Sequence, residues 1–411
     1  MERVAAPSPG GERWSRRDRS PRRPERLRAT PRIERFLAGN RLPTPFVVLD
    51  LDVVVERYRR LAAALPMASI HYAVKANPAD EILRLLVRMG SRFDVASPGE
   101  IELCLQAGAR PEHISYGNTV KKQRDIAEAY RRGIRLFAFD SAAELAKIAE
   151  SAPGSTAFCR VTTDGAGADW PLSRKFGCDP GTAARLAVAA SRAGLRVGFS
   201  FHVGSQQRDV QAWDPVLSLV GRMFADLRRH DVEPALVNIG GGFPGQYLDR
   251  MPPVEEYGRA IARSLHRHLG PRLPEVIAEP GRYLVADAGV LQSEVVLVCR
   301  KSEEDRQRWV YLDIGMFGGL AEVMEEAIRY RIRTPHDGEP TGPVAIAGPT
   351  CDSADVLYER TDYRLPLALT AGDRVELMST GAYTTTYSSV GFNGLAPLRA
   401  HYLPETGDAA A

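Results

Sequence analysis

The chain has 411 residues, 44% of them apolar and 26% charged, with a formal net charge of +3 at pH 7. This composition excludes a collagen, a disulfide scaffold and a wholly disordered protein. No apolar stretch approaches the roughly 20 residues that cross a bilayer, so we expect neither a membrane anchor nor a secretion signal. The five cysteines are dispersed and lack a C-x-x-C pair. They predict free thiols in a reducing, cytoplasmic setting.

The positive charge is concentrated at the N-terminus. Residues 1–30 contain nine Arg and four acids, a net of +5, so the remainder of the +3 chain carries −2. We therefore expect no nucleic-acid-binding surface on the body of the protein. Residues 1–30 are rich in Pro, Gly, Ser and Arg, which predicts a disordered tail. A solvated extension is favoured over binding of this tail to RNA or a membrane.

Beyond the tail, residues 44–65 predict a short strand followed by an amphipathic helix. Eight apolar, β-rich runs then alternate with helical stretches such as 80–90, 101–110 and 182–195. The runs are residues 69–75, 92–97, 113–118, 135–140, 156–161, 197–204, 236–242 and 275–281. Repeated strand–helix units predict an α/β fold, here a (β/α)8 barrel of the TIM type over residues 31–290. A doubly wound open sheet has a similar rhythm and is the alternative.

The pattern of the sequence changes after residue 290. Short β-type runs at 293–299, 308–314, 342–348 and 373–379 are separated by Gly, Pro and Asp turns. They predict a second, mostly antiparallel β domain over residues 291–411. Residues 31–50 could join this domain rather than the barrel.

A polar residue or a glycine marks the end of every predicted barrel strand, where barrel enzymes carry their active sites. These residues are Lys75, Asp94, Asn118, Asp140, Arg160, His202, the glycine run 240–242 and Glu279. Partial burial of Lys75 is expected to lower its pKa and to favour the neutral, nucleophilic amine. The alternative is a strand-end lysine that reaches solvent. Lysine is scarce, with six residues in the whole chain, so few other amines are available.

Several of these residues suit a phosphorylated heterocycle. Glycines let backbone N–H groups approach an anion, and Ser205 and Arg282 could add phosphate contacts. Glu279 could keep a ring nitrogen protonated, which makes the ring withdraw electrons, and His202 could stack on the ring. A tight turn, a surface ion pair and a core histidine are the ordinary alternatives. No cluster has metal-ligand spacing, so we expect no metal site.

Cys351 and Asp352 form a second pair of interest, in the predicted β domain. They place a possible proton donor beside an acid. From the local sequence alone, Cys351 is expected to be a small buried apolar residue.

Ten motifs, in their order, resemble those of the fold-type III, alanine-racemase-like amino acid decarboxylases that use pyridoxal 5′-phosphate (PLP). The motifs are HYAVKANP, FDVASPGE, GNTVKK, FDSAAEL, SRKFG, FHVGSQ, GGGFPG, EPGRY, GPTCDSAD and GAYT. The resemblance covers about residues 40–400 and is greatest for the ornithine/lysine decarboxylase branch.

The resemblance implies a role for each matched residue. Lys75 is implied to bind PLP covalently, Glu279 to pair with its pyridine nitrogen and His202 to stack on its ring. The other implied cofactor contacts are Asp94, Arg160, Ser205, Gly241, Gly242, Gly281, Arg282 and Tyr383.

The resemblance also implies a substrate site that is shared between two chains. Cys351 is implied to protonate the α-carbon after CO2 leaves, and Asp352 to receive the distal ammonium of the substrate, with Tyr383 nearby. In the family Cys351 and Asp352 come from the partner subunit, so a homodimer is expected. The implied reaction converts L-ornithine to putrescine, or L-lysine to cadaverine, with release of CO2.

Two departures bear on the substrate. Residues 316–332 contain no Asp, although eukaryotic ornithine decarboxylases hold the far amine with a Tyr-Asp pair in this stretch; Glu322, Glu325 or Glu326 could substitute. Diaminopimelate decarboxylases typically read Cys-Glu-Ser where residues 351–353 read Cys-Asp-Ser, which favours a simple diamino acid. The alternatives are decarboxylation of diaminopimelate or of another specialised amino acid, and a non-catalytic PLP-binding homologue that acts through protein contacts.

Overall fold

The computed structural model describes residues 29–170 and 175–407. The predicted tail lies outside the described residues, except for its last two positions. The first eleven strands are β1 Phe46–Asp50, β2 Ala68–Ala73, β3 Arg92–Val95, β4 Ile114–Tyr116, β5 Leu136–Phe139, β6 Thr156–Arg160, β7 Ala168–Trp170, β8 Arg196–Ser200, β9 Ser205–Gln207, β10 Leu236–Asn238 and β11 Glu275–Ala278. The later strands are β12 Gly289–Cys299, β13 Arg308–Leu312, β14 Ile332–Arg333, β15 Thr341–Ala347, β16 Val356–Tyr358, β17 Arg364–Pro366, β18 Arg374–Met378 and β19 Arg399–Leu403.

The helices either flank β1 or follow the barrel strands. They are α1 Pro31–Gly39, α2 Leu51–Ala64, α3 Asp80–Arg88, α4 Pro98–Gln106, α5 Gln123–Arg131, α6 Ala142–Ser151, α7 Pro180–Arg192, α8 Trp213–Arg229, α9 Val254–Leu269 and α10 Arg282–Val285. Side-chain caps fix where several of them begin. Ser97 accepts a hydrogen bond from the backbone N–H of Glu100, and Ser141 accepts one from that of Glu144. These caps satisfy N–H groups of the first helical turn, and only two residues separate each of these two helices from the strand before it.

Eight parallel strands close into a barrel in the order β2, β3, β4, β5, β6, β8, β10 and β11. The ring is completed where β11 pairs with β2, with Ile277 opposite Ser69. This confirms the barrel and excludes the open sheet. Each predicted run overlaps one of the eight strands, and their first residues agree to within one position. The strands end earlier than the runs because several of the polar residues lie in the loops beyond them.

The second sheet has nine strands, with a main path β14-β18-β12-β13-β15-β16. Two of its pairs are parallel, β13 with β15 and β1 with β19, and the others are antiparallel. The prediction of a mostly antiparallel sheet is therefore confirmed. The N-terminal β1 pairs with β12 as well as with β19, so this sheet includes a strand that precedes the barrel.

One apolar core runs from the barrel into the sheet. Tyr72 and Phe199 of the barrel belong to the same buried cluster as Val310 and Leu377 of the sheet. All five cysteines are free thiols. None of the helices in residues 29–170 and 175–407 combines the length and the apolar character needed to cross a membrane.

Candidate active site

Lys75 lies at the mouth of the barrel, one step beyond the end of a strand. β2 ends at Ala73, and a single 3-10 turn, Val74–Ala76, presents Lys75 between two buried neighbours. Its Nζ atom lies 3.4 Å from Oδ2 of Asp94. The side chain of Lys75 is 53% exposed, so desolvation disfavours its charged amine only in part, and the negative charges of Asp94 and Glu279 outweigh this effect and raise the pKa of Lys75. The expectation of a lowered pKa is therefore wrong, because acids surround this amine.

Asp94 is held in a space that depends on a glycine. Its side chain is buried, and its Oδ1 atom has no hydrogen-bond partner among the described residues. A Cβ atom on Gly117 would come 1.9 Å from Oδ1, so only glycine fits at that position of the neighbouring strand exit. Burial raises the pKa of Asp94, and the charge on Lys75 opposes this.

Glu279 follows β11 directly and faces the same space. The side-chain amide of Asn238 donates a short hydrogen bond to Oε1 of Glu279. Burial, followed by the charge of Asp94, raises the pKa of Glu279 to about 7. A cationic group brought next to this carboxyl would lower its pKa and favour the ionised form. The sequence did not single out Asn238, although an Asn that ends a buried strand two residues before a glycine run is an available signal.

The His202 ring lies beside Glu279, with Gly241 between them. Its Nδ1 atom accepts a hydrogen bond of 3.0 Å from the backbone N–H of Gly204, so we assign the proton of the neutral ring to Nε2. Burial and the nearby cations Arg160 and Lys75 lower the pKa of His202 to about 3. A Cβ atom on Gly241 would lie 2.6 Å from the backbone oxygen of Glu279 and 3.3 Å from Nε2 of His202. Because its pKa is about 3, the His202 ring is neutral at physiological pH.

Arg282 begins α10 on the side of the mouth that carries Ser205. Its guanidinium is buried, donates a 3.2 Å hydrogen bond to Oγ of Ser205 and lies 4.9 Å from the centre of the Tyr383 ring. Gly242 has a φ of +100°, which glycine adopts readily. A Cβ on Gly281 would lie 3.2 Å from the Tyr383 hydroxyl. Ser205, Arg282 and Tyr383, three of the phosphate residues implied by the family resemblance, thus lie together on one side of the mouth.

Arg282 has two further partners that the sequence did not predict as such. The hydroxyl of Tyr247 accepts a hydrogen bond of 2.7 Å from Nη1. The carboxylate of Glu322 accepts one from each terminal nitrogen, at 2.5 and 2.6 Å. Both oxygens of Glu322 are therefore bonded to Arg282, which leaves them poorly placed for a substrate ammonium.

The remaining strand-end residues divide into two groups. The guanidinium of Arg160 lies 5.2 Å from the centre of the Phe176 ring, and burial lowers its pKa while Glu279 and Asp94 oppose this. Arg160 is thus electrostatically part of the site. In contrast, the side chain of Asn118 donates to a backbone oxygen, and that of Asp140 accepts from the backbone N–H of Gly177. These two residues shape loops.

Cys351 and Asp352 occupy an exposed turn after β15. Within the described ranges, no hydrogen bond or ion pair joins either residue to the barrel-mouth residues. The expectation of a buried Cys351 is wrong, and the cause is Asp355. Its buried carboxylate accepts hydrogen bonds from the N–H groups of Met316 and Thr350, and so anchors the turn from its far end. Residues 351–354 project outward as a result.

The other two acids considered for the substrate lie beside Glu322 in the chain. Glu326 accepts hydrogen bonds from three consecutive backbone N–H groups, those of residues 359–361. Glu325 is exposed and has a φ of +55°. Of the three glutamates, Glu325 is therefore the one with an exposed side chain.

The mouth fits a phosphorylated aromatic ring with a basic nitrogen. At the mouth, two buried polar atoms have no hydrogen-bond partner among the described residues: Oδ1 of Asp94 and Nε of Arg282. Gly241 leaves open a space beside His202 and Glu279 that a Cβ would fill. One space at the barrel mouth is therefore surrounded by the carboxyl of Glu279, the flat neutral ring of His202, the amine of Lys75 and the guanidinium of Arg282. PLP offers a matching nitrogen, ring face, aldehyde and phosphate.

Comparisons with known proteins agree with this fit. Residues 51–286 match the model for the pyridoxal-dependent decarboxylase family, pyridoxal binding domain. A lysine/ornithine decarboxylase of Selenomonas ruminantium is 36% identical over 367 residues, which cover 87% of this chain and 90% of the relative. The solved lysine decarboxylase of that organism has a TM-score of 0.81 at 32% identity, with 93% and 98% of the two chains covered. A lysine/ornithine decarboxylase of Vibrio vulnificus, solved with putrescine, has a TM-score of 0.79 at 30% identity, with 91% and 99% covered.

The fold and its mouth define a PLP enzyme built on an α/β barrel with a second β sheet. The chain belongs to the pyridoxal-dependent decarboxylases. It is an amino acid decarboxylase, and its cofactor is pyridoxal phosphate.

Proposed function

We propose that this chain decarboxylates L-ornithine, L-lysine or both, releasing CO2 with putrescine or cadaverine. The observation that carries the proposal is the grouping of Lys75, Asp94 and Glu279 at one barrel mouth, with Arg282 on its far side. The names of the relatives support this substrate class, since the Vibrio vulnificus enzyme was solved with putrescine and also with cadaverine.

Lys75 is the residue that binds the cofactor covalently through its amine. Because nearby acids keep this amine protonated, it has to lose a proton before it can attack an aldehyde. Asp94, at 3.4 Å, is in a position to accept that proton. When bound, PLP supplies an electron-withdrawing ring that stabilises the carbanion left by the departing CO2.

Glu279 and His202 control the ring. Glu279, with a pKa of about 7, becomes fully ionised next to a cationic pyridine nitrogen and keeps that nitrogen protonated. The Asn238 amide donates to one oxygen of Glu279, which orients the carboxylate. His202, whose pKa is about 3, presents an uncharged face that can stack on the ring without repelling a cationic nitrogen.

The proposed phosphate contacts extend from Gly241, beside His202 and Glu279, to Arg282. They are Ser205, Gly241, Gly242, Gly281, Arg282 and Tyr383. Glycines allow close approach of the backbone to an anion, and the guanidinium supplies hydrogen-bond donors. Arg160 adds a second cation near the carboxylates of Glu279 and Asp94.

A homodimer completes the substrate site in this proposal. Cys351 and Asp352 are exposed, and Asn393, which contacts both the backbone N–H and the thiol of Cys351, belongs to an exposed apolar segment. In that segment Val390 is 87% exposed. Large apolar side chains around a polar turn are typical of a surface that a second subunit covers. From the partner, Cys351 would protonate the α-carbon and Asp352 would bind the distal ammonium.

The distal ammonium decides the substrate class. A cation that enters a partly dry pocket needs an opposite charge, which Asp352 supplies. A distal carboxylate, as in diaminopimelate, would instead be repelled by Asp352. The free thiols agree with a cytoplasmic location, which belongs to the same proposal.

The test is the release of CO2 from ornithine, lysine, arginine and diaminopimelate, measured as kcat/KM at saturating PLP. We expect turnover of ornithine and lysine with values within about 200-fold of each other, since one methylene contributes only about 1–3 kcal/mol. Asp352→Asn should raise KM for both. Turnover of diaminopimelate alone would contradict the substrate assignment. Binding of PLP without CO2 release from any of the four would favour a non-catalytic homologue.

A further inference from the structure

A buried ion pair lies behind the proposed phosphate contacts. The side chains of Arg282 and Glu322 are 3% and 5% exposed. Arg282 begins α10 at the barrel, whereas Glu322 lies in the 3-10 segment Ala321–Glu326 between β13 and β14. Oε1 of Glu322 accepts from Nη2, and Oε2 accepts from Nη1. The carboxylate therefore forms a bidentate ion pair with the two terminal nitrogens of the guanidinium.

The hydrogen-bond donors of Arg282 show which edge remains available. A guanidinium has five N–H donors. Glu322 takes one from each terminal nitrogen, Tyr247 accepts another from Nη1, and Ser205 accepts one from Nη2. The Nε–H is buried and has no acceptor in the described parts of the chain. Nε and Nη2 form one edge of the guanidinium, so the available donor lies on the side of Ser205.

We propose that Glu322 is a positioning residue for the phosphate of PLP. By holding the terminal edge of Arg282, it turns the Nε–Nη2 edge and Ser205 toward the phosphate. Its negative charge also controls the protonation of that phosphate. The inference rests on the proposed phosphate contacts of Ser205 and Arg282.

The surroundings make the charge effect simple to assign. Four tyrosines face the pair, and burial raises the pKa of each, so all are uncharged near neutral pH; they are Tyr247, Tyr330, Tyr383 and Tyr387. The other charges that act on these tyrosines are Lys75 and Asp287, and Asp287 is paired with Arg57. Glu322 cancels the charge of Arg282. A phosphate dianion that arrives therefore meets a neutral pair, and the carboxylate favours its monoanion.

The experiment is a ³¹P NMR titration of the PLP-loaded protein between pH 5.5 and 9. We expect Glu322→Gln to lower the second pKa of the bound phosphate by about one unit or more, a tenfold change in proton affinity, because one nearby negative charge is lost. Glu322→Asp keeps the charge but shortens the side chain. It should retain the wild-type titration and release PLP about tenfold faster.

Glu144→Gln is the matched control, because Glu144 is also a buried acid paired with a buried cation, Lys121. It should leave both the ³¹P titration and PLP release unchanged. Identical titrations of wild type and Glu322→Gln would overturn the proposal. If Glu322→Gln does not fold with PLP, then wild-type PLP release from Glu322→Asp would overturn it instead. None of these measurements uses a substrate, so the absence of CO2 release from ornithine and lysine would refute the proposed function alone.

Discussion

The barrel mouth and the Cys351 turn differ in how completely a single chain builds them. At the mouth, Asp94 and Arg282 are 6% and 3% exposed, and contacts within the chain hold their side chains, with Lys75 against Asp94 and Glu322 against Arg282. Cys351 and Asp352 lie on an exposed turn, where the Cys351 N–H donates to Asn393 and Asp352 accepts from the Ala354 N–H. One chain thus preorganises the residues proposed for the cofactor but leaves those proposed for the substrate on its surface. Cofactor binding and substrate turnover should therefore be separable by mutation.

The largest expected effect tests this separation directly. Lys75→Ala should lower kcat by at least ~10³-fold, because the amine that binds the cofactor is lost. Asp352→Ala should bind PLP normally and yet lose most turnover. If active sites are shared, a mixture of the two inactive variants should recover about a quarter of wild-type activity, since half of the dimers are mixed and each has one intact site.

The labelling pattern provides the control for this mixture. Borohydride treatment should attach the cofactor permanently to Lys75 in wild type and Asp352→Ala, but not in Lys75→Ala, as measured by peptide mass. A mixture that remains inactive after subunit exchange would mean that each site is built within one chain.

The next largest effect lies within the mouth. Glu279→Gln should lower kcat by about 10²-fold with little change in KM, because a neutral amide no longer keeps the ring nitrogen cationic. The amide oxygen can still accept from Asn238, so the fold should be retained. Steady-state kinetics on ornithine and lysine measure the effect. An unchanged kcat would remove Glu279 from its proposed role.

The barrel could be predicted because its signals are local. Each apolar run coincides with a strand, and the capped helices begin where Ser97 and Ser141 stand. The polar strand ends of a closed barrel must then share one face, which is why Lys75, Asp94 and Glu279 could be grouped without coordinates.

What the sequence did not predict depends on contacts between distant segments. The ion pair between Glu322 and Arg282 joins residues 40 positions apart. The turn that exposes Cys351 is anchored by the buried Asp355, whose carboxylate accepts from the backbone N–H of Met316, 39 positions away. The raised pKa of Lys75 likewise reflects acids from other strands. Composition and periodicity carry no information on such pairings.

A smaller effect is expected from packing at the mouth. Gly241→Ala should lower the free energy of unfolding by about 1–3 kcal/mol and weaken PLP binding, because the new methyl group would lie 2.6 Å from the Glu279 backbone oxygen. Gly39→Ala is the control, since nothing lies within 4 Å of its added Cβ. Urea denaturation and PLP titration measure both variants. Equal stability of the two variants would mean that the mouth tolerates a side chain at position 241.

The last expected effect is on how the stability of the mouth depends on pH. Glu279 has a pKa of about 7 in the folded chain, against an ordinary value of 4.5, so folding takes up a proton between these pH values. Stability from this group therefore falls as pH rises from about 4.5 to 7. His202, with a folded pKa of about 3, acts in the opposite direction below pH 6.5, but it does so equally in Glu279→Gln. In PLP-free protein, the free energy of unfolding of wild type minus that of Glu279→Gln should decline by up to about 3 kcal/mol across this window and level off above pH 7. A difference that rises with pH would show that Glu279 is ionised in the folded chain even without the cofactor, and that its neighbours, rather than the ring nitrogen, determine its charge.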